Sequence, residues 1–374
     1  MELSEIREKL DIVDKEILRL FEERMELSGE VAEWKLHNNS KVFDKKREEE
    51  KLAVLSGLTD NAFNKMCVAE LFKHIMSMSR KLQYKKLSES GSEGRLPFIA
   101  VDKLFDGTER VVYQGAPGSY SQLAMQRFFG KDIKNFHVDT FREAMSAIDD
   151  GSADFAVLPI ENSTAGIVTE TYDLLVEFEN YIVAEQIIPI EHCLLGVEGA
   201  SLDTIKTVYS HPQSLMQSAR FLESAGYRQI SMQNNAFAAK KVADEKDISI
   251  GAIAGEQAAA EYGLNIIKRK VNQEDENSTR FIIATNQKIF KRDAGKVSIC
   301  FEIPHEAGSL YQLLSNFIYN DLNMTKIESR PIENRNWEYR FFVDFEGNLS
   351  DGATKNALRG LRDEARNMKI LGNY

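Results

Sequence analysis

Asp154-Phe155-Ala156-Val157-Leu158-Pro159-Ile160-Glu161-Asn162-Ser163 is an apolar run that stops abruptly in charged and amide side chains. A run this short and apolar reads as a buried strand. Its polar end then reads as a loop at the carboxyl edge of a sheet, where α/β folds bind ligands. Gly166 in that loop lets the backbone approach a ligand closely. Taken alone, the stretch fits equally an ordinary strand–loop–helix junction in which Asn162 and Ser163 serve as caps.

Outward from it the same rhythm continues. Short apolar runs such as 155–160 and 248–253 alternate with helical patterns such as 119–129, so 110–286 is expected to be an α/β domain with a largely parallel sheet. Upstream, 1–87 is expected to be all helix: no proline precedes Pro97, and glycine is limited to Gly29 and Gly57. Leu3, Ile6, Leu10, Val13, Ile17, Leu20, Leu27, Val31 and Trp34 recur at spacings that suit a coiled-coil-like seam on one long helix. A second helix is expected near Asp44 and a third from Ala62 to Tyr84. The Ser-, Glu- and Gly-rich stretch from Ser88 makes 88–109 a linker, and 286–296 a second junction. Downstream, 296–374 shows a βαββαβ order, which predicts an α+β, ferredoxin-like unit. The expected chain is therefore multidomain.

Composition narrows the function. The 374 residues are 43% hydrophobic and 28% charged with a net charge of −11, an ordinary folded protein without the basic footprint of a nucleic-acid binder. No run of about 18 apolar residues suggests a membrane span, and the first residues do not resemble a signal peptide. Cys67, Cys193 and Cys300 lie far apart, and neither they nor the histidines show a ligand spacing. A cytoplasmic protein without metal or other cofactor is the expectation.

Arg24 stands where the seam should be apolar. A guanidinium there is costly unless an anion pairs with it, whether a structural carboxylate or a ligand. Lys35, eleven residues on, shares its face, and Arg47 follows in the next helix beside Asp44 and Glu48. Arg7 is about 42 Å from Lys35 along an unbroken helix, so it joins them only from the partner helix of a dimer. The order Arg7, Arg24, Lys35, Asp44-x-x-Arg47-Glu48, Ser79-x-x-x-Gln83 resembles the all-helical chorismate mutases. That resemblance implies that Arg7 (from a second subunit), Arg24 and Arg47 hold the carboxylates of chorismate. It gives Lys35 and Gln83 the breaking ether oxygen, and Asp44, Glu48 and Ser79 the hydroxyl side and ring. A pericyclic rearrangement to prephenate asks only for a compact conformer and stabilised charge on that oxygen.

Gly115-Ala116-Pro117-Gly118-Ser119-Tyr120-Ser121 opens a helix after a strand, as does Ser210-His211-Pro212-Gln213, and Asn277-Ser278-Thr279-Arg280-Phe281 precedes a strand. With the Pro-Ile-Glu-Asn-Ser loop, this set is similar to the prephenate dehydratases. The resemblance implies two α/β lobes with the site between them. Thr279 would assist departure of hydroxide as carbon dioxide leaves and phenylpyruvate forms. Ser119, Ser121, Glu161, Asn162, Ser163, His211, Gln213, Arg280 and Phe281 would surround prephenate. Ala116-Pro117, Ser119 and Asn234-Asn235-Ala236-Phe237 depart from the commoner pattern.

In the last unit, Gly308-Ser309-Leu310-Tyr311 and Glu328-Ser329-Arg330-Pro331 resemble the ACT regulatory domains. This implies phenylalanine as effector at Gly308, Ser309, Leu310, Glu328, Ser329, Arg330 and Pro331, across a homodimer. Two rivals stand beside this reading: a monofunctional dehydratase whose helices only dimerise, and a non-catalytic two-lobed amino-acid sensor.

Overall fold

The computed structural model describes residues 2–38, 40–89, 96–274, 276–303, 306, 308–332 and 335–374. They fall into two compact units, Met1–Pro97 with Gly295–Lys369, and Phe98–Ala294 with Ile370–Tyr374. No described helix is long and apolar enough to cross a membrane.

The first unit begins with three helices, α1 (Leu3–His37), α2 (Lys45–Ser56) and α3 (Ala62–Glu89). With no proline to stop it, α3 runs past Tyr84 and takes in Ser88 and Glu89 from the expected linker; residues 90–95 of that linker lie outside the described residues. The small, buried residues Ser28, Gly29 and Ala32 form the face of α1 that meets α3. The apolar seam is another face: its nine side chains, Leu3 to Trp34, are each at least 41% exposed. Arg24 lies within that stripe, between Ile17 and Leu20 around the helix axis, and its side chain turns toward α3.

The same unit holds strand Lys296–Glu302, helix Ser309–Ile318, strands Met324–Pro331 and Tyr339–Glu346, helix Gly352–Glu364, and the start of strand Arg366–Asn373. The strands lie in the order Met324, Tyr339, Lys296, Arg366. Phe301, Phe317, Phe345, Leu313, Leu358 and Leu361 are fully buried beneath the two helices. Gly360 lets those helices close up, since a Cβ there would stand 2.3 Å from the Asn316 side-chain oxygen. The Gly352 helix also packs on α3.

The second unit has two lobes. In the first, strands Tyr181–Pro189, Ser278–Thr285, Phe155–Asn162, Arg110–Gln114 and Lys134–Val138 follow one another. In the second the order is Asn265–Lys268, Cys193–Gly196, Ile250–Ala254, Thr207–Ser210, Arg228–Ser231. The sheets are mixed, not largely parallel. Among the five strands named in each lobe, two pairs run parallel and two antiparallel. The reason is topological: the chain leaves the first lobe after Pro189 and returns at Ser278, so the strands beside these crossings reverse direction. The two crossing segments are laced together, with Val271 N–H donating to the His192 carbonyl at 2.9 Å and Ile190 N–H to the Asn277 carbonyl at 2.8 Å.

Both stretches read as junctions carry structure. Ile99–Val101 and Ile289–Lys291 pair as parallel strands, so they belong to this unit and are not free linker. Its last residues, Ile370–Tyr374, also belong here, Gly372 pairing with Ile182.

Two candidate active sites

On α1 and α3, the expected residues of the first site mostly come together. The Arg24 Nη1 donates to Ser79 Oγ at 2.5 Å, and Lys35 Nζ donates to Gln83 Oε1 at 3.2 Å and to the Val42 carbonyl at 2.6 Å. Ser79 and Gln83, one turn apart on α3, are both buried. Burial holds the Lys35 ammonium below the usual lysine range, opposed by the nearby carboxylates of Asp44 and Glu48 and reinforced by Arg47 and Arg80. Burial lowers Arg24 likewise, with Glu48 opposing. Two half-buried cations backed by a buried amide and hydroxyl make a receptor for a small anion whose charge moves onto an oxygen.

Three members behave otherwise. Asp44 caps α2 by accepting from the Arg47 N–H at 3.1 Å, so its carboxylate serves the helix. Arg47 is exposed. Arg7 is also exposed, and α1 is unbroken between it and Lys35, so within one chain it stays far from the others. Sequence reasoning missed Arg80, a buried cation on α3 that holds Glu48.

In the two-lobed unit, Thr279 opens the returning strand and lies opposite Asn162 on the neighbouring one. Asn162 is buried and its amide orientation is set by its partners. The Oδ1 accepts from the N–H groups of Thr164 and Ala165 at 3.1 and 2.9 Å. The Nδ2 therefore faces Thr279 Oγ1, donating at 2.9 Å, and also reaches Asn277 Oδ1 at 2.8 Å. An amide nitrogen only donates, so Thr279 accepts from it and keeps its own O–H to give to something else.

The donors behind it form a line. His192 Nε2 lies 3.0 Å from Gln217 Oε1, Gln217 Nε2 donates to Thr164 Oγ1 at 2.8 Å, and Thr164 Oγ1 donates to Asn162 Oδ1 at 2.8 Å. Because Gln217 spends its nitrogen on Thr164, its oxygen must accept, which places the His192 proton on Nε2. Burial pushes His192 down to about 4, so the ring is neutral at physiological pH. Tyr120 donates to the Glu191 carbonyl at 2.9 Å beside the other ring nitrogen. Every donor in this chain points toward Thr279, an arrangement in which each bond polarises the next. A cavity of about 130 Å³ opens beside it, lined by Thr164, Gln217, Asn272 and Asn277 among others.

Several residues expected to surround the ligand make contacts within the protein. Phe281 is 2% exposed in the core of the first lobe, because a register shift after Arg280 turns the ring inward. Arg280 and Glu161 pair with each other at 3.0 Å, and Arg280 reaches Glu185 at 3.3 Å. Ser163 ties the loop down, accepting from the Ser278 N–H at 2.9 Å. Ser119 caps its helix, accepting from the Gln122 N–H, and Ser121 is buried within that helix. His211 caps the Pro212–Gln217 helix, accepting from the Gln213 N–H at 3.3 Å, while the Gln213 side chain stays half-buried. Asn235 braces that cap through Ser210, His211 and Ser214. Asn234 caps the next helix with its oxygen, and its buried nitrogen has no hydrogen-bond partner among the described residues. Gly118, at φ +82°, lets its turn approach the other lobe: a Cβ there would stand 2.9 Å from Ala258 Cα.

In the C-terminal stretch, Gly308 adopts φ +81° and starts the Ser309 helix, with Leu310 half-buried in its first turn. Residues 304, 305 and 307 just before it lie outside the described residues. The strand alternation separates the second motif: Glu328 and Arg330 are half-buried, whereas Ser329 and Pro331 are exposed on the opposite face.

A model of type II chorismate mutase matches residues 6–84, and one of prephenate dehydratase matches residues 111–289. The bifunctional chorismate mutase/prephenate dehydratase of Escherichia coli (strain K12) is 32% identical over 379 aligned positions, which span 100% of this chain and 96% of that protein. Among solved structures, prephenate dehydratase from Arthrobacter aurescens in complex with L-Phe has a TM-score of 0.66 at 26% identity, covering 71% of this chain and 89% of that one. GqqA, described as a novel type of quorum-quenching acylase, has a TM-score of 0.64 at 30% identity over 71% of this chain and 97% of its own. Shared architecture does not set chemistry. The full-length match takes in both halves: the chain belongs to the bifunctional chorismate mutase/prephenate dehydratase family.

Proposed function

We propose that the helical half rearranges chorismate at a site built from Arg24, Lys35, Arg47, Glu48, Ser79 and Gln83, completed by Arg7 of a second copy. Prephenate is then decarboxylated and dehydrated to phenylpyruvate around Thr279. The observation that carries this is the convergence of Arg24 on Ser79 and of Lys35 on Gln83 across α1 and α3. Lys35 and Gln83 serve the ether oxygen as its bond breaks, and Arg24 a carboxylate. Thr279 gives its proton-bearing oxygen to the departing hydroxyl, held in place by Asn162. Ser119 and His211, which cap helices of the same unit, would contact prephenate as it binds.

The exposed seam of α1 supports the second copy. Nine such side chains lie on one stripe, and because each is already about half covered, its burial contributes about half of the 1.5–3 kcal/mol that full burial gives. The C-terminal stretch is an ACT regulatory domain that binds phenylalanine, with Gly308 to Leu310 on one subunit and the Glu328–Pro331 strand on another. The expected three-part division, 1–87, 110–286 and 296–374, describes these roles in a cytoplasmic enzyme, with the paired strands at Ile99 and Ile289 added to the middle part.

The test is direct. Purified protein given chorismate should produce phenylpyruvate, and less of it when phenylalanine is present. No phenylpyruvate would remove the bifunctional reading, and unchanged output with phenylalanine would remove the regulatory one.

A further inference from the structure

One largely covered cation in the helical half occupies a position that no motif specifies, between Ser79 and Gln83. Arg80 projects from α3 with its side chain only 12% exposed. Its Nη1 donates to both oxygens of Glu48, at 2.6 and 2.5 Å, and its Nη2 donates to Glu364 at 2.5 Å. The ring of Phe43 lies 4.7 Å from its guanidinium carbon. Glu364 stands at the end of the Gly352 helix, and its other oxygen accepts from Asn316 Nδ2 at 3.1 Å.

Glu48 also feels Arg24 and Lys35, which are close enough for its charge to oppose the effect of burial on both. A carboxylate left loose there would collapse onto one of those cations and compete with an incoming dianion for it. A close hold by a third cation, whose Nη1 meets both carboxylate oxygens, prevents that. We propose that Arg80 is a positioning residue of the mutase reaction: it keeps Glu48 off Arg24 and Lys35, so that Arg24 remains open to a substrate carboxylate and Lys35 to the ether oxygen. Glu364 in turn fixes Arg80. The proposal rests on reading Arg24 and Lys35 as the substrate-binding cations.

Competition of this kind raises KM and leaves kcat nearly alone. The test uses the full-length protein and steady-state chorismate consumption. Arg80→Gln should raise KM roughly tenfold with kcat within about twofold, and should add nothing in a Glu48→Gln background. A KM effect of Arg80→Gln that persists undiminished beside Glu48→Gln, or a loss that falls on kcat, overturns the proposal. Arg80→Lys keeps the charge but has a single donor nitrogen in place of the fork that spans Glu48 and Glu364, and should raise KM to an intermediate degree; a value equal to that of the parent protein overturns the role of that fork. Glu364→Ala should raise KM about threefold, and no change there overturns the anchoring by the Gly352 helix. Each variant should still convert prephenate at the parent rate, which reports that it has folded; if Arg80→Gln does not, Arg80→Lys and Glu364→Ala carry the test. Arg24→Gln separates the two levels. If it leaves the chorismate KM unchanged, the underlying site reading fails, whatever Arg80 does.

Discussion

Around Lys35 the chain gathers charge, whereas around Thr279 it gathers neutral donors. The first site pairs half-buried cations with a buried amide and a buried hydroxyl, beside an exposed apolar stripe on the same helix. The second is a line of hydrogen bonds from His192 to Thr279 drawn from both crossing segments, one short helix and the end of the Phe155–Asn162 strand with its loop. The difference follows from the chemistry. Migrating charge in a rearrangement is met by fixed cations, while a leaving hydroxyl is met by one aimed proton donor whose geometry must be rigid.

Variants that strike one site and spare the other sharpen this contrast. Lys35→Met should lower mutase kcat/KM about a thousandfold by removing the donor to the ether oxygen, without changing the rate on prephenate. Thr279→Val keeps shape and burial but deletes the hydroxyl; dehydratase turnover should fall a few hundredfold, roughly, with mutase kinetics intact. Next comes the acid response of His192. A folded value of about 4 against an ordinary 6.5 means the unfolded chain binds the proton more readily. The resulting stability is therefore full above pH 6.5 and is lost as pH falls toward 4, by about 3 kcal/mol at most. Urea midpoints measured across that window should drop steeply in the parent protein and less steeply in His192→Gln. Smallest, Gln217→Met breaks the donor line two links from Thr279 and should cost roughly tenfold in dehydratase kcat. Equal damage to both activities from any of these variants would break the comparison.

Much of the dehydratase fold was legible in the strand 155–160 and its polar end, because a buried strand must stop where its backbone meets polar surroundings. The pairing of Arg24 with Lys35 was legible too, since eleven residues return a helix to nearly the same face. Strand direction was not, because it depends on where the chain crosses between lobes. Pairing of Ile99 with Ile289 spans too much sequence for any local pattern to show. The line from His192 to Thr279 joins residues from four separate stretches, and none carries a local signature. The separation of Ser329 from Glu328 was readable, since alternate residues on a strand face opposite ways. Arg80 stayed hidden beside Ser79 because nothing in a helix pattern distinguishes a surface arginine from one held by carboxylates of two other helices.

Two independent sites on one chain can be tested by complementation. Lys35→Met and Thr279→Val, each unable to carry chorismate through to phenylpyruvate, are mixed and given chorismate. The separate-site account predicts that phenylpyruvate appears in the mixture and that prephenate accumulates with Thr279→Val alone. A mixture that yields no phenylpyruvate, although each variant retains its other activity, would contradict it.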